Sequence, residues 1–249
     1  MQLPLASMAF APAILWGWAY YHSNRYKRSN LKALALLYGG GMSCGLIALL
    51  LNHMVEKYTI FWPGAPEVWW AGVEASLPLA SSGFWLMVGV NEEFAKMLVL
   101  LLGVYTFREP REPFDGLLFA AVIALGFATI ENLFYLNQYG PGVLVTRSVV
   151  TVPAHAFMSA PMGYIVVRSR MIWEAEARSP QAAHRAMLVL LGGWLVSASL
   201  HGAYDLWLSL GYEWGGYLQI VLMGLLSVWL GRRALKESPF RPGLSAPPV

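Results

Sequence analysis

Charge is scarce in this chain. Of 249 residues only 12% are Asp, Glu, Lys or Arg, against roughly 25% in soluble globular domains. Hydrophobic residues make up 57%. A soluble fold of that composition would leave large apolar patches in water, so the balance favours an integral membrane protein. Cysteine is nearly absent as well. The lone Cys44 lies in an apolar run, which rules out an internal disulfide and any cysteine-based zinc site. The sequence has no HExxH, hence no zincin-type motif, and no visible internal repeat. No Ser–His pair sits in an activating context, which disfavours covalent catalysis. No basic segment precedes the apolar stretch Leu3 to Tyr21, which therefore reads as a retained first span rather than a cleaved signal.

What is there is a series of apolar runs. A bilayer-spanning helix takes about 20 mostly apolar residues, and the runs at 3–22, 32–54, 80–106, 115–137, 142–167, 186–209 and 214–231 qualify. The expected fold is all-α: a polytopic membrane helix bundle of about seven transmembrane helices. It forms one bundle over 1–237 with a catalytic core at about 80–209, followed by a Pro-rich, disordered tail at 238–249. Aromatic residues near the span ends, among them Trp16, Trp18, Trp69, Trp70, Tyr135 and Tyr139, fit interfacial belts. The connection 55–79, with Pro63, Pro66 and Pro78, reads as an interfacial segment. The basic residues cluster in alternate connections: Arg25, Lys27, Arg28, Lys32, Arg108, Arg111, Arg168, Arg170, Arg178, Arg185, Arg232, Arg233, Lys236 and Arg241 fall on one side and Lys57 on the other. That asymmetry places the N-terminus outside and the C-terminus in the cytoplasm. Basic clusters between apolar spans set topology; they do not read as a nucleic-acid-binding surface.

Inside these runs lie groups that lipid does not tolerate. Glu92, Glu93 and Lys96 share the third run; Glu131 is in the fourth, His155 in the fifth, and His201 and Asp205 in the sixth. Each charge at bilayer depth costs about 2.5–3.5 kcal/mol, so these groups are expected to meet and pair. A single Glu–Lys pair at helical spacing would fit a buried ion pair that fixes helix register. Four carboxylates and two histidines at similar depth on four consecutive spans fit a functional chamber better. Lys96 is placed to neutralise one of the two adjacent glutamates, which point about 100° apart, so that one of them faces the cavity. Asp205, four residues after His201, is placed to hold that ring by one nitrogen. Asn132 beside Glu131 is a supporting polar contact, and Arg147 an interfacial anchor or a cap on a site carboxylate. Pro153 is expected to kink the span that carries His155. The Gly39-Gly40-Gly41 run reads as a packing or flexing feature.

These residue types leave two routes to an activated water. In one, His155 and His201 with Glu131 bind Zn²⁺ while Glu92 or Glu93 serves as general base. In the other, a glutamate deprotonates the water and the histidines stabilise the oxyanion. Both amount to peptide-bond hydrolysis in a hydrated pocket of the bilayer. A proton- or ion-coupled transporter is the alternative, since carboxylate and histidine chains also build relays; a non-catalytic membrane scaffold is a third.

At Glu92-Glu93-Phe-Ala-Lys96, Phe127-Ala-Thr-Ile-Glu131-Asn132, Pro153-Ala-His155 following Arg147, and His201-Gly-Ala-Tyr-Asp205, the sequence resembles the PrsW family of intramembrane proteases, relatives of the CAAX prenyl endopeptidases and bacterial immunity-type membrane proteases. The elements occur in the family's order on separate spans. The resemblance implies an endopeptidase, metallo- or glutamic-type, in the bacterial cytoplasmic membrane that cuts membrane-anchored protein substrates, as in site-1 cleavage of an anti-sigma factor. Glu92 and Glu93 would take the family's essential glutamate pair, and Glu131, His155, His201 and Asp205 its remaining polar positions. Prenyl-protease relatives carry His where Glu131 stands here, which points away from prenyl-cysteine processing.

Overall fold

The computed structural model describes residues 3–58, 78–107 and 112–243. Among these residues eight helices follow one another: α1 Leu3–Ser23, α2 Leu31–Tyr58, α3 Pro78–Thr106, α4 Pro113–Tyr139, α5 Val143–Val149, α6 Thr151–Ala175, α7 Pro180–Ser209 and α8 Glu213–Lys236. Among the described residues there is no strand. Five stretches, Leu31–Val55, Pro113–Tyr139, Val143–Ala175, Pro180–Ser209 and Glu213–Lys236, are long and apolar enough to cross a membrane. The protein is thus an all-α, multi-span bundle. The other two long helices are α1 and α3, and α3 carries Glu92, Glu93 and Lys96 on its middle turns.

The bundle is organised around α4, whose side chains are buried almost continuously from Pro113 to Ile130. A helix apolar on every face belongs in the centre of the bundle, and α1, α2 and α6 all pack on it. Its contact with α6 is backbone on backbone. A Cβ on Gly116 would lie 2.1 Å from the Gly163 carbonyl oxygen, and a Cβ on Gly163 equally close to that of Gly116. Small residues permit such approach, and packing in lipid relies on it. Within the Gly39-Gly40-Gly41 run, Gly40 packs on Val99 and Gly41 on the Ile123 carbonyl, while Gly39 meets nothing; the feature is one of packing.

The fifth expected span is two helices. The break falls at Val150 (φ −114°, ψ −70°), three residues before Pro153. Pro153 cannot donate to the Val149 carbonyl four residues back and its ring crowds that position, so the chain bends there and α6 restarts at Thr151. Trp16 ties α1 to this bend by donating from Nε1 to the Ser148 carbonyl at 3.2 Å.

At the opposite end of the bundle the start of α4 is pinned. Glu112 and Asp115 form a capping box, with Pro113 at the first helical position. Asn24 Nδ2 donates to Glu112 Oε1 at 2.7 Å, and Lys27 Nζ meets Asp115 Oδ2 at 2.7 Å. Burial pushes the Glu112 carboxyl above its usual range, opposed by hydrogen bonds from Ser238 and Asn24. Of the expected tail, residues 238–243 are described: Ser238 is buried and its carbonyl accepts from Arg241 N–H at 3.2 Å. Residues 244–249, Arg108, Arg111, and most of the 55–79 connection with Pro63, Pro66, Trp69 and Trp70 lie outside the described residues.

Candidate active site

Four helices carry the acids and imidazoles to one level, and a tight crossing aligns two of them. A Cβ on Gly89 would fall 2.4 Å from the Ala198 carbonyl oxygen and 2.5 Å from Gly202 N, so α3 and α7 touch through bare backbone. One turn along α3 from that contact come Glu92 and Glu93, and on α7 His201 stands within it, next to Gly202. All four glutamates and histidines that face the centre, Glu92, Glu93, His155 and His201, are buried.

Glu93 is the fully occupied carboxylate. Its Oε1 lies 2.7 Å from Lys96 Nζ and 2.9 Å from His201 Nδ1, and its Oε2 accepts from Ser159 Oγ at 2.8 Å. Lys96 therefore neutralises Glu93, and reaches Glu92 only at 4.0 Å. The ammonium also sits 4.1 Å from the Phe127 ring centroid and 3.4 Å from His155 Nδ1, a desolvated cation–π contact. Asp205 was expected to hold the His201 ring. It stands 3.6 Å from Nε2, beyond hydrogen-bond range, and Glu93 orients the ring from the Nδ1 side instead.

That orientation has a chemical consequence. A carboxylate only accepts, so in the neutral ring Nδ1 carries the hydrogen given to Glu93 and Nε2 is left as a lone pair. This lone pair faces Glu92 Oε2 at 3.4 Å, an oxygen that is buried with no hydrogen-bond donor. With the ring neutral, two acceptors face one another at the centre of a buried site, and a proton or a metal cation between them would satisfy both.

A second chain of contacts runs outward from His155. Its Nε2 lies 2.8 Å from Glu131 Oε2, and the same oxygen accepts from Arg147 Nη2 at 2.8 Å. Arg147 Nε donates to Asn132 Oδ1 at 2.7 Å, Asn132 Nδ2 reaches the Ala9 carbonyl at 3.3 Å, and the guanidinium lies 4.0 Å from the Tyr135 ring centroid. Arg147 is thus the cap on a site carboxylate, and Asn132 is its brace. The imidazoles of His155 and His201 meet edge to face, centroids 5.0 Å apart.

Of the site residues singled out in the sequence, Glu92, Glu93, Lys96, Glu131, Asn132, Arg147, His155 and His201 join this one network, and Asp205 stands beside it, 3.6 Å from His201 Nε2. The difference lies in the carboxylate that accompanies the imidazoles. The sequence expectation set Glu131 with His155 and His201; in the structure the donor atoms that come within 4.8 Å of one another belong to Glu92, His155 and His201. Sequence reasoning missed Ser159, although it lies one helical turn after His155 on the same face. It also missed Asn52 on α2, whose Nδ2 donates to Glu92 Oε1 at 3.1 Å, because nothing near Asn52 in the chain marks it.

The sequence matches a known group of proteins. The family described as PrsW family intramembrane metalloprotease matches residues 28–230, a stretch that contains every residue of the site. The chain belongs to the PrsW family. The Protease PrsW of Geobacillus kaustophilus is 32% identical over 235 residues, covering 94% of this chain and 92% of that one. That of Clostridioides difficile is 26% identical over 91% of this chain and 88% of its own, and that of Bacillus subtilis 25% over 94% and 95%. No solved structure matches. As a PrsW protein with several apolar helices, this is an intramembrane protease whose environment is the bacterial cytoplasmic membrane and whose substrates are membrane proteins.

Proposed function

We propose that this PrsW protein hydrolyses a peptide bond of a membrane-anchored protein in the chamber between α3, α4, α6 and α7, with Zn²⁺ held by Glu92, His155 and His201. The observation that carries the reading is the buried Glu92 Oε2, without a hydrogen-bond partner and 3.4 Å from His201 Nε2. Charge supports it too. With neutral imidazoles the four carboxylates Glu92, Glu93, Glu131 and Asp205 outnumber the two cations Lys96 and Arg147 by two, the charge of one divalent ion. Two imidazoles and a carboxylate are also an established catalytic zinc set. His155 completes it by giving up Lys96 at Nδ1 while Glu131 keeps Nε2.

Bound there, zinc supplies a Lewis acid that polarises a carbonyl and makes water acidic near neutrality. The rest is done by the chain. Glu93, saturated by Lys96, Ser159 and His201, keeps the His201 ring turned with Nε2 toward the chamber, as outer-sphere carboxylates do for ligand histidines. Both of its oxygens already carry donors, which makes it a poor base. Arg147 holds Glu131, and Glu131 holds His155. Asp205, with its side chain 19% exposed and close to His201, takes the proton of the attacking water at Oδ2 and returns it to the leaving amine.

The site lies nearer to the end of the bundle formed by the 139–143 and 209–213 connections than to the end that carries the basic clusters. With the N-terminus outside and the C-terminus in the cytoplasm, cleavage falls in the outer half of the bilayer, as site-1 processing of an anti-sigma factor would require. Elemental analysis of detergent-purified protein tests the reading. One zinc per chain is expected in the wild type, with zinc and proteolysis lost together in Glu92→Gln and His201→Ala. Active protein free of zinc would overturn it in favour of direct deprotonation of water by a glutamate.

A further inference from the structure

We infer that Asn52, on a helix that contributes none of the ionisable groups, is a positioning residue that fixes which oxygen of Glu92 faces the chamber. The inference rests on the reading of Glu92 as a metal ligand. On α2 the positions Gly41, Cys44, Gly45 and Ala48 form a buried stripe, and Asn52 continues it at helical spacing, one turn beyond Ala48. The stripe packs along α4, where Gly41 abuts the Ile123 carbonyl and Gly45 the Ile130 side chain. The register of α2 therefore delivers the Asn52 carboxamide to the flank of α3 at the level of Glu92.

The polarity of that carboxamide is set. Asn91 Nδ2 donates to Asn52 Oδ1 at 3.1 Å, and Asn52 Nδ2 donates to Glu92 Oε1 at 3.1 Å. With Oδ1 occupied by a donor, only the NH₂ group can face Glu92. The relay fills one carboxylate oxygen and leaves the other, Oε2, aimed at His201 Nε2. Without it the Glu92 carboxylate is free to rotate about its terminal bond, a broad and weakly held torsion, and both oxygens compete for the same place. Partners of this kind typically account for 10–100-fold in metal affinity or activity.

The test measures zinc affinity by competition with a chromogenic chelator, and kcat and KM on a membrane-anchored peptide substrate, for full-length protein in detergent. Asn52→Ala is expected to weaken zinc binding and lower kcat by about 10–100-fold each with KM unchanged. Asn52→Asp, which sets an acceptor against Glu92 Oε1, is expected to lose more. Wild-type zinc affinity and kcat in folded Asn52→Ala would overturn the inference, and so would a fall in thermal stability alone. Should Asn52→Ala not fold, Asn91→Ala reads the same relay: a smaller loss in both quantities supports the inference, and wild-type values overturn it. Glu92→Gln run in parallel separates the two readings. If it binds zinc like the wild type, the metal site is misassigned; if it loses zinc while Asn52→Ala does not, only the role of Asn52 fails.

Discussion

The hydroxyl of Ser159 on α6 donates to Glu93 Oε2 on α3 at 2.8 Å, and so gives a donor to the second oxygen of the most buried carboxylate of the site. Three helices converge on Glu93 through this bond, the Lys96 bond and the His201 bond. A buried acid in that position is structural scaffold and functional part at once, and changes around it act on both.

Removing the Ser159 hydroxyl leaves a buried carboxylate oxygen with no donor. Ser159→Ala is expected to cost about 1.5–3 kcal/mol of stability, the range for hydrogen bonds to charged groups. It should also reduce proteolysis, since Glu93 then holds His201 less firmly. Thermal unfolding in detergent and a cleavage assay check the pair of effects; unchanged midpoints would contradict the first.

Lys96→Met strands Glu93 as an unpaired buried charge. Breaking such a pair costs about 3–5 kcal/mol, a large share of the roughly 5–15 kcal/mol that holds a domain folded. The double variant Glu93→Gln with Lys96→Met removes both charges and is expected to recover much of that loss while remaining inactive. A double variant no more stable than Lys96→Met would show that the pair is not the source of the cost.

Arg147→Lys keeps the charge but not the fork that reaches Glu131 and Asn132 together. Proteolysis is expected to fall about 10-fold or more, with zinc content weakened rather than lost. Full activity in this variant would remove Arg147 from the chain of contacts behind His155.

The Glu112 carboxyl titrates above its unfolded value because it is buried. In the folded state its ionised form is therefore penalised at high pH. The penalty is relieved as pH falls through the raised value, and the gain is complete below the unfolded value of about 4.3. Unfolding midpoints of the wild type are expected to rise relative to Glu112→Gln as pH is lowered from 8 toward 4. Parallel curves would show that Glu112 carries no such linkage.

The helices were legible because a lipid-spanning segment announces itself by length and composition, and the candidate site was legible because several acids such as Glu131 at one depth in apolar runs are costly unless they meet. Local spacing also gave the Lys96 neighbourhood correctly, since partners three or four residues apart share a helix face. The pairing across helices was hidden. Whether Glu93 or Asp205 orients His201 depends on how α3 and α7 are rotated against each other, which the Gly89 and Gly202 contact decides and no single-helix pattern encodes. The break at Val150 appeared in the sequence only as Pro153, because proline disturbs the turn before it. Asn52 was invisible for a simpler reason: a lone carboxamide in an apolar helix is unremarkable until its neighbour in space is known.

The bare crossing at Gly89 and Gly202 also bears on how a polypeptide reaches the cutting point. With the two backbones already touching there, no extended strand can thread between α3 and α7 at that height. A substrate must come in by another flank, and an alanine at either glycine would pry apart a seam that the enzyme keeps shut.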